Sequence, residues 1–563
     1  MCRKFRISCI VSIAVFIIIH FSLLIASAQI VQQEWVRRFT DTATVNWSAS
    51  SIKFDSLGFI YVLAERGNDF GFIKYSPNGN LLVVATYWPG GYSSGGGSYF
   101  DVTPNGDVYI TGGVNENFNS WIYTVKFNSS GVFQWGRFYN PDNSDAVSDI
   151  KVDRTGSVII VGGALVGNTN YALTIKYDTN GDTLWTRYFN QPPNYPDFNN
   201  KIVLDASNNI YITGYMVVPG IPGKCLILNY RPSGYLNWYT TVTIDSTYTN
   251  SGYGISLDNN GNIYVLCISN TSGLFRDYLV KLTNGGIILW NKIFNGIIGG
   301  LGGRVSGIPQ GPVISLDGSS IYYTTEAANG LGGSARSIAT IKYNSSGDSQ
   351  WVSVFNGGGI YGTANSPASI KLDRYDNIYI CGVAYYQNTG DDFATIKYLP
   401  SGVQKWVETY SGVITNGGDY AKDLFIDTSF NVYVTGYSRN MANNGYVAAT
   451  IKYSQIVGII SNNNQLPNRY NLYQNYPNPF NPTTKIRFSI PLIKGGLRGL
   501  SDGVVLLKIY DILGREITTI VNQQLKPGSY EVEWDGSKYA SGIYIYRLET
   551  ENFTDTKKMI LLK

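Results

Sequence analysis

The stretch from Ile370 to Trp406, IKLDRYDNIYICGVAYYQNTGDDFATIKYLPSGVQKW, constrains the whole chain because its plan is repeated eight times. The plan is an apolar strand ending in Asp, a short polar turn, a strand of the form NIYxTG, a variable connection, a TIKY strand, a second tight turn and a Trp strand. The copies are easiest to follow at TIKY, whose lysine position falls at 74, 126, 176, 229, 281, 342, 397 and 452, a spacing of 50 to 61 residues. The Asp that closes the first strand recurs at Asp55, Asp153, Asp205, Asp258, Asp317, Asp373 and Asp427, with Thr103 in the second copy. Periods of this size mark supersecondary units that bury their faces only against neighbouring copies.

Each unit reads as four short strands rich in Val, Ile, Tyr and Thr, separated by Gly, Asn, Asp or Ser. In Asn377 to Cys381, Ile378 and Ile380 point one way and Tyr379 and Cys381 the other, so both faces are apolar and both need cover. Four-stranded sheets packed between copies of themselves are propeller blades, arranged radially so that few edges stay exposed. The Trp strand follows each copy at Val83, Trp135, Trp185, Trp238, Trp290, Trp351 and Trp406, but none follows Tyr453. The missing strand is found at the start, where Trp35 in QEWVRRF precedes the first Asp strand. The expectation is therefore an all-β, eight-bladed propeller over 29–455, closed by its N-terminal strand, or seven blades if one copy is degenerate. The two tight turns of every blade share one face of the disc. The variable connections, such as Gly90 to Ser98, Gln191 to Asp197, Gly296 to Gly311, Tyr385 to Asp392 and Asn440 to Tyr446, share the other, where binding is expected.

Composition narrows the chemistry. The only histidine, His20, lies in an N-terminal segment with a basic start (Arg3, Lys4, Arg6), an apolar run from Ile10 to Ile25 and a small-residue exit at Ala26-Ser27-Ala28. These features mark a secretory signal peptide over 1–28, with cleavage expected between Ala28 and Gln29, and no transmembrane segment is expected after cleavage. Removing it leaves no histidine, which excludes Ser/His/Asp and Cys/His nucleophile pairs and histidine zinc sites, so the mature protein is not expected to be an enzyme. Basic and acidic residues then nearly balance, which argues against nucleic acid. Cys225, Cys267 and Cys381 remain, an odd and sparse set inside strand patterns that reads as buried apolar thiols.

The turn Asp258-Asn259-Asn260-Gly261 has several oxygens, but the same Asp recurs in nearly every blade, so it reads as a turn cap rather than a metal ligand. No cofactor is expected. The lysine of TIKY is expected to pack its stem between blades, with its ammonium reaching an Asp or solvent. Carboxylates and aromatics at the variable face (Asp69, Asp277, Asp391, Asp392, Asp419, Tyr385, Tyr386, Tyr420) are candidates for a sugar or peptide platform. Tyr385, Tyr386, Asp391, Asp419 and Tyr420 form the favoured cluster.

The recurring DxxGNxYVTG, KY and GxxxW elements resemble the bacterial β-propeller repeats of secreted and surface proteins, a family that carries no catalytic motif to transfer. After a polar linker over 456–470 comes a different pattern. Tyr476, Pro477, Asn478, Pro479, Phe480, Asn481 and Pro482 open it, and short alternating strands follow at Thr484 to Ile490, Val504 to Tyr510, Gly528 to Trp534, Gly542 to Leu548 and Lys557 to Leu562. About ninety residues in short antiparallel strands suit a small Ig-like β-sandwich over 471–563. NYPNPFNP, KIYDILGREI, WDG, GIYIYRL and the terminal KKMILLK closely resemble the C-terminal sorting domain of the type IX secretion system. That resemblance implies engagement of the type IX machinery and delivery to the cell surface or beyond. The insert Ile493 to Gly503 is longer than the usual hairpin and is expected to be a loop. The expected function is an exported, non-enzymatic binding or interaction protein with a glycan or envelope-protein ligand; the alternative is a secreted carbohydrate-active propeller working with carboxylates.

Overall fold

The computed structural model describes residues 30–562 apart from 42–45, 117–118, 142–143, 168, 192–196, 219, 244–247, 272–273, 295–307, 330–334, 359–364, 415–416, 441–444, 457–466, 492–502, 526–527 and 538. The signal peptide with Ala28 and Gln29 lies outside the described residues, as does nearly all of the Ile493 to Gly503 insert. The chain divides into two compact units, one spanning Val31–Gln455 and the other containing Ile456–Lys563. Every element among the described residues is a strand.

The first unit holds eight four-stranded antiparallel sheets. Blade 1 consists of Trp47–Phe54, Ile60–Arg66, Phe70–Tyr75 and Leu81–Tyr87, from the innermost strand outward. Blades 2 to 7 repeat this order over 94–139, 145–189, 197–242, 249–294, 310–355 and 366–410. Blade 8 has three strands from 419–456, and the N-terminal strand Ile30–Phe39 pairs beside Tyr446–Ile456 as its fourth. The two faces of each sheet enter different cores. Tyr379 and Cys381 pack toward blade 8, whereas Ile378 and Ile380 pack toward blade 6.

A shared clasp joins successive blades. In the second turn of blade 3, Thr179 and Gly181 face the outer strand of blade 2. Trp135 Nε1 and Lys126 Nζ both donate to the Thr179 carbonyl, at 3.0 and 3.2 Å, and Arg137 Nε donates to the Gly181 carbonyl at 2.7 Å. The glycine is needed twice over. Its φ is 83°, and an added Cβ would sit 2.7 Å from the Trp135 indole. The pattern returns with Trp185 and Lys176 on Pro232, Trp290 and Lys281 on Ser345, and Trp351 and Lys342 on Pro400. The lysine therefore does pack between blades, and its ammonium reaches an Asp at Lys126–Asp107 and Lys176–Asp153, at 3.0 and 2.7 Å, as well as a turn carbonyl of the next blade.

The seam keeps the glycine seat and the arginine bond of this clasp but not its shared carbonyl, since the Trp35 indole N–H has no partner among the described residues and Lys452 pairs with Glu34 of the N-terminal strand. Trp35 lies over Gly79 of blade 1, and Arg37 Nε donates to the Gly79 carbonyl at 2.5 Å. Phe54 stacks on Phe425 at 4.0 Å, and Ser51 Oγ donates to Asp423 at 2.8 Å. The N-terminal strand thus completes blade 8 and presents to blade 1 the Trp-on-glycine and arginine contacts that blades 2 and 3 present to their neighbours.

The second unit is a sandwich of a three-stranded sheet (Asn471–Leu472, Thr483–Ile490, Gly528–Asp535) and a four-stranded sheet (Glu516–Leu525, Gly503–Asp511, Gly542–Thr550, Phe553–Leu561). Both sheets feed one core containing Ile486, Phe488, Leu507, Ile509, Trp534, Tyr546 and Leu561. Glu516–Leu525, in which buried positions are sparse, is a strand that alternation alone did not single out. The proline segment runs outside the sheets, with Tyr476 bridged to Lys485 and Phe480 to Leu561, and Phe480 enters the core.

Candidate functional site

The closing Asp of each first strand is a turn cap. Asp373 Oδ1 accepts the backbone N–H groups of Tyr375 and Asn377, and Oδ2 accepts Asn377 Nδ2 and the Tyr379 hydroxyl, all within 3.0 Å. Asp258 and Asp427 repeat the set. Blade 6 departs from the expectation. There Ser315 Oγ accepts the Ser320 N–H, and Asp317 accepts from Ser315 and from the Ser319 N–H, bonds that hold its pKa down at about 2. The face with the tight turns is thus committed to caps and clasps.

The axis is also committed. A bulge interrupts the innermost strand of every blade at the same place, as between Ala49 and Ser51 or Ala421 and Asp423. Around these bulges, polar side chains tie neighbouring blades together. Asp423 accepts from Ser51 Oγ and the Ile52 N–H of blade 1 and from Ser369 Oγ of blade 7. Asp101 accepts the Val152 N–H, and Asp149 accepts the Ile202 N–H. Burial works to raise the Asp423 pKa, but Lys371, Lys53 and the two serine hydroxyls outweigh it and hold the carboxylate low. Lys53 is lowered, first by repulsion from Lys151 and then by burial.

At the opposite face the favoured cluster divides. Tyr420 Oη donates to Asp391 Oδ2 at 2.9 Å, and Tyr385 is the cross-strand neighbour of Asp391. Burial, and then the Asp391 carboxylate, push the Tyr420 hydroxyl upward, so it stays a proton donor. Tyr437 and Tyr446 extend the group, at 5.2 and 6.4 Å from the Tyr420 ring, with the Lys422 ammonium 5.3 Å from the Tyr437 ring. Tyr386 turns instead onto the core between blades 6 and 7. Asp419 is buried and accepts the Gly412 N–H. It belongs to a series at the start of the innermost strands, in which Asp145 accepts the Leu165 N–H, Asp197 those of Gln191 and Val217, and Asn365 that of Tyr385. Burial pushes Asp197 up to about 7 against these two bonds.

Two other candidates are not at a surface. Asp392 is buried beside Thr389, and Asp277 is fully enclosed between blades 5 and 6 next to Thr325. The expected loop from Tyr385 to Asp392 is a tight hairpin, with Ile378–Tyr386 and Gly390–Tyr398 paired along their whole length, Tyr386 facing Gly390.

A second aromatic group joins the connection after blade 1 to the hairpin of blade 2. Tyr92 meets Trp88 at 6.3 Å, Trp121 at 5.4 Å and Phe138 at 5.3 Å, and Phe138 is 45% exposed. The connection is pinned by the N–H and hydroxyl of Ser93, both donating to the Asn115 carbonyl. Burial, and after it the Glu116 carboxylate, raise the Tyr92 pKa. Sequence reasoning marked Gly90 to Ser98 as variable but missed these rings. The available signal was Trp88 and Tyr92 flanking that glycine-rich connection.

Fold and tail together define an exported propeller protein: an eight-bladed β-propeller followed by a β-sandwich. Residues 474–562 match the family described as the secretion system C-terminal sorting domain, and this tail directs export by the type IX system to the cell surface or the extracellular space. Among the described residues no helix is long and apolar enough to cross a membrane. No curated protein matches the chain. Among solved structures, PorZ, a surface component of the type IX secretion system of Porphyromonas gingivalis, is 10% identical, with 92% of this chain and 81% of that chain covered and a TM-score of 0.32. The polysaccharide lyase Uly1 is 8% identical, covering 75% and 99%, with a TM-score of 0.42. An ulvan lyase is 11% identical, covering 62% and 90%, with a TM-score of 0.40. Similarities this low do not bear on what the chain binds.

Proposed function

We propose that the propeller is a non-enzymatic binding module, carried to the cell exterior by its tail, whose variable face takes a glycan. The observation that carries this reading is the aromatic group of Trp88, Tyr92, Trp121 and Phe138 beside Glu116. Partly exposed rings next to a carboxylate suit the apolar faces and hydroxyls of a sugar, and the connection that holds them is pinned in place. The axis is occupied by contacts between blades, and the tight-turn face is taken up by caps and clasps apart from a polar cavity at Asp205, Tyr211, Asn229, Arg231 and Asn284 that presents no tryptophan.

The test is an array of neutral, uronic and sulfated glycans probed with the exported protein, followed by chromatography of the best ligand after long incubation. Saturable binding is expected, weakened at least tenfold by Trp121→Ala at a temperature where circular dichroism shows the variant fully folded, and with the glycan recovered intact. Shortened or unsaturated products would replace this reading with the carbohydrate-active one. Binding only to envelope proteins, unaffected by Trp121→Ala, would overturn the glycan assignment.

A further inference from the structure

One pair of residues stands apart when the eight blades are superposed position by position. The fifth residue of the second strand is glycine in five blades: Gly112, Gly162, Gly214, Gly382 and Gly436. In blade 5 it is Cys267. The third strand of the preceding blade faces this position with the residue five before its closing aromatic, as Phe393 does over Gly436. In blade 4 that residue is Cys225. The departure from glycine in blade 5 therefore coincides with a cysteine on the facing strand of blade 4.

The two side chains meet. Cys225 Sγ and Cys267 Sγ are 2.7 Å apart, wholly buried within the core shared by blades 4 and 5. Two unbonded sulfur atoms do not rest this close. Gly252, the register partner of Cys267, leaves space that Thr213 and Cys225 fill, since a Cβ there would stand 1.9 Å from the Thr213 hydroxyl and 3.0 Å from the Cys225 sulfur. The remaining cysteine of this unit, Cys381, lies in the core between blades 7 and 8 and has no cysteine facing it among the described residues.

We infer that Cys225 and Cys267 are joined by a disulfide that links blade 4 to blade 5 in the exported protein. The export route provides the setting, because disulfides form and persist in the oxidising space outside the inner membrane. The co-reactant is a protein disulfide donor of the thiol–disulfide oxidoreductase class. The Cys225 thiolate attacks a sulfur of the donor disulfide, forming a mixed disulfide and releasing one donor thiolate. The Cys267 thiolate then attacks Cys225 Sγ, closing the new S–S bond and releasing the second donor thiolate. The two cysteine protons end on the donor, which leaves as a dithiol carrying the two electrons. Burial, then the neighbouring sulfur, raises the Cys267 thiol well above its ordinary range, so a pair left reduced in the folded blades stays protonated and unreactive.

The test is alkylation with iodoacetamide of the protein collected after export and unfolded in denaturant, with and without prior reduction, followed by peptide mass mapping. Without reductant, Cys381 is expected to be alkylated and the Cys225 and Cys267 peptides to appear as one cross-linked species; with reductant all three are alkylated. Alkylation of Cys225 and Cys267 without reductant would overturn the inference. As a second measurement, Cys225→Ser with Cys267→Ser is expected to lower the unfolding midpoint of the exported protein by several degrees and to abolish the downward shift that reductant causes on repeated unfolding of the parent chain. An equal response of parent and variant to reductant would also overturn it.

Discussion

Gly79→Ala tests ring closure more sharply than any truncation. Gly79 has φ 78°, and a Cβ there would lie 2.7 Å from the Trp35 indole, the ring that the N-terminal strand brings to blade 1. A left-handed conformation costs a non-glycine residue about 1–2 kcal/mol. Removing a fully buried Trp contact costs about 3–5 kcal/mol, so displacing half-buried Trp35 from its seat costs about 2 kcal/mol. The sum for Gly79→Ala is about 3–4 kcal/mol. Gly90→Ala is the internal control, because Gly90 has φ 72° with nothing within 4 Å of its added Cβ, and only the conformational cost of about 1–2 kcal/mol applies.

The assay is urea unfolding of the exported protein followed by far-ultraviolet circular dichroism, with the four members of a Trp35→Ala and Gly79→Ala cycle compared at equal slope. In the Trp35→Ala background the cost of Gly79→Ala is expected to fall to the level of Gly90→Ala, a coupling of about 2 kcal/mol between residues 44 positions apart in sequence. Additive costs would refute the seating of Trp35 on Gly79, and with it the closure of blade 8 by the N-terminal strand.

Asp277→Asn is expected to stabilise the protein above neutral pH. Burial pushes the Asp277 carboxyl up to about 7, so between about pH 4 and 7 the folded chain keeps a proton that the unfolded chain releases. Stability attributable to this group is greatest below that window and falls by about 1.4 kcal/mol per pH unit through it, to a loss of about 4 kcal/mol above pH 7. The difference between urea midpoints at pH 4.5 and 8 should therefore shrink in Asp277→Asn, leaving the comparable slope that Asp197, also pushed up to about 7, contributes; an unchanged slope would refute the raised value. Asp373→Ala strips four donors of their acceptor and is expected to cost about 2–4 kcal/mol, whereas Asp317→Ala, outside the capping position, should cost less than about 1 kcal/mol, as read by the same unfolding assay. Deleting residues 474–562 should leave the propeller inside the cell envelope, detected by immunoblot of cell and medium fractions; continued appearance outside would show a second export signal.

What the sequence made legible follows from repetition. Eight copies of one pattern average out local ambiguity, so strand order, blade number and the displaced Trp strand at Trp35 were readable from the chain alone. The candidate site was less so, because single residues at the variable face have no copies to compare. Asp419 illustrates the difficulty. It stands at a loop boundary like an accessible carboxylate, and only alignment with Asp145, Asp197 and Asn365 shows a buried cap for a crossing connection. Asp277 misled in the same way, since a charged residue within an apolar strand suggests exposure until the facing blade is known to cover it.

The repeat also explains where specificity can reside. The second tight turns of blades 3, 4, 6 and 7 present a carbonyl to the Trp and Lys of the preceding blade and a glycine to the indole, so substitution there strains an interface rather than altering a surface. Among the described residues, the connections on the other face share only the buried cap at the start of the innermost strands, and beyond it they are held by bonds of their own, as Ser93 is to Asn115 and Asp391 to Tyr420. Rings and carboxylates can therefore accumulate there blade by blade without loosening the disc. Trp121 is matched in blade 3 by Tyr171, but only in blade 2 does the ring at this position meet a Trp and a Tyr from the preceding connection, Trp88 and Tyr92, among the described residues.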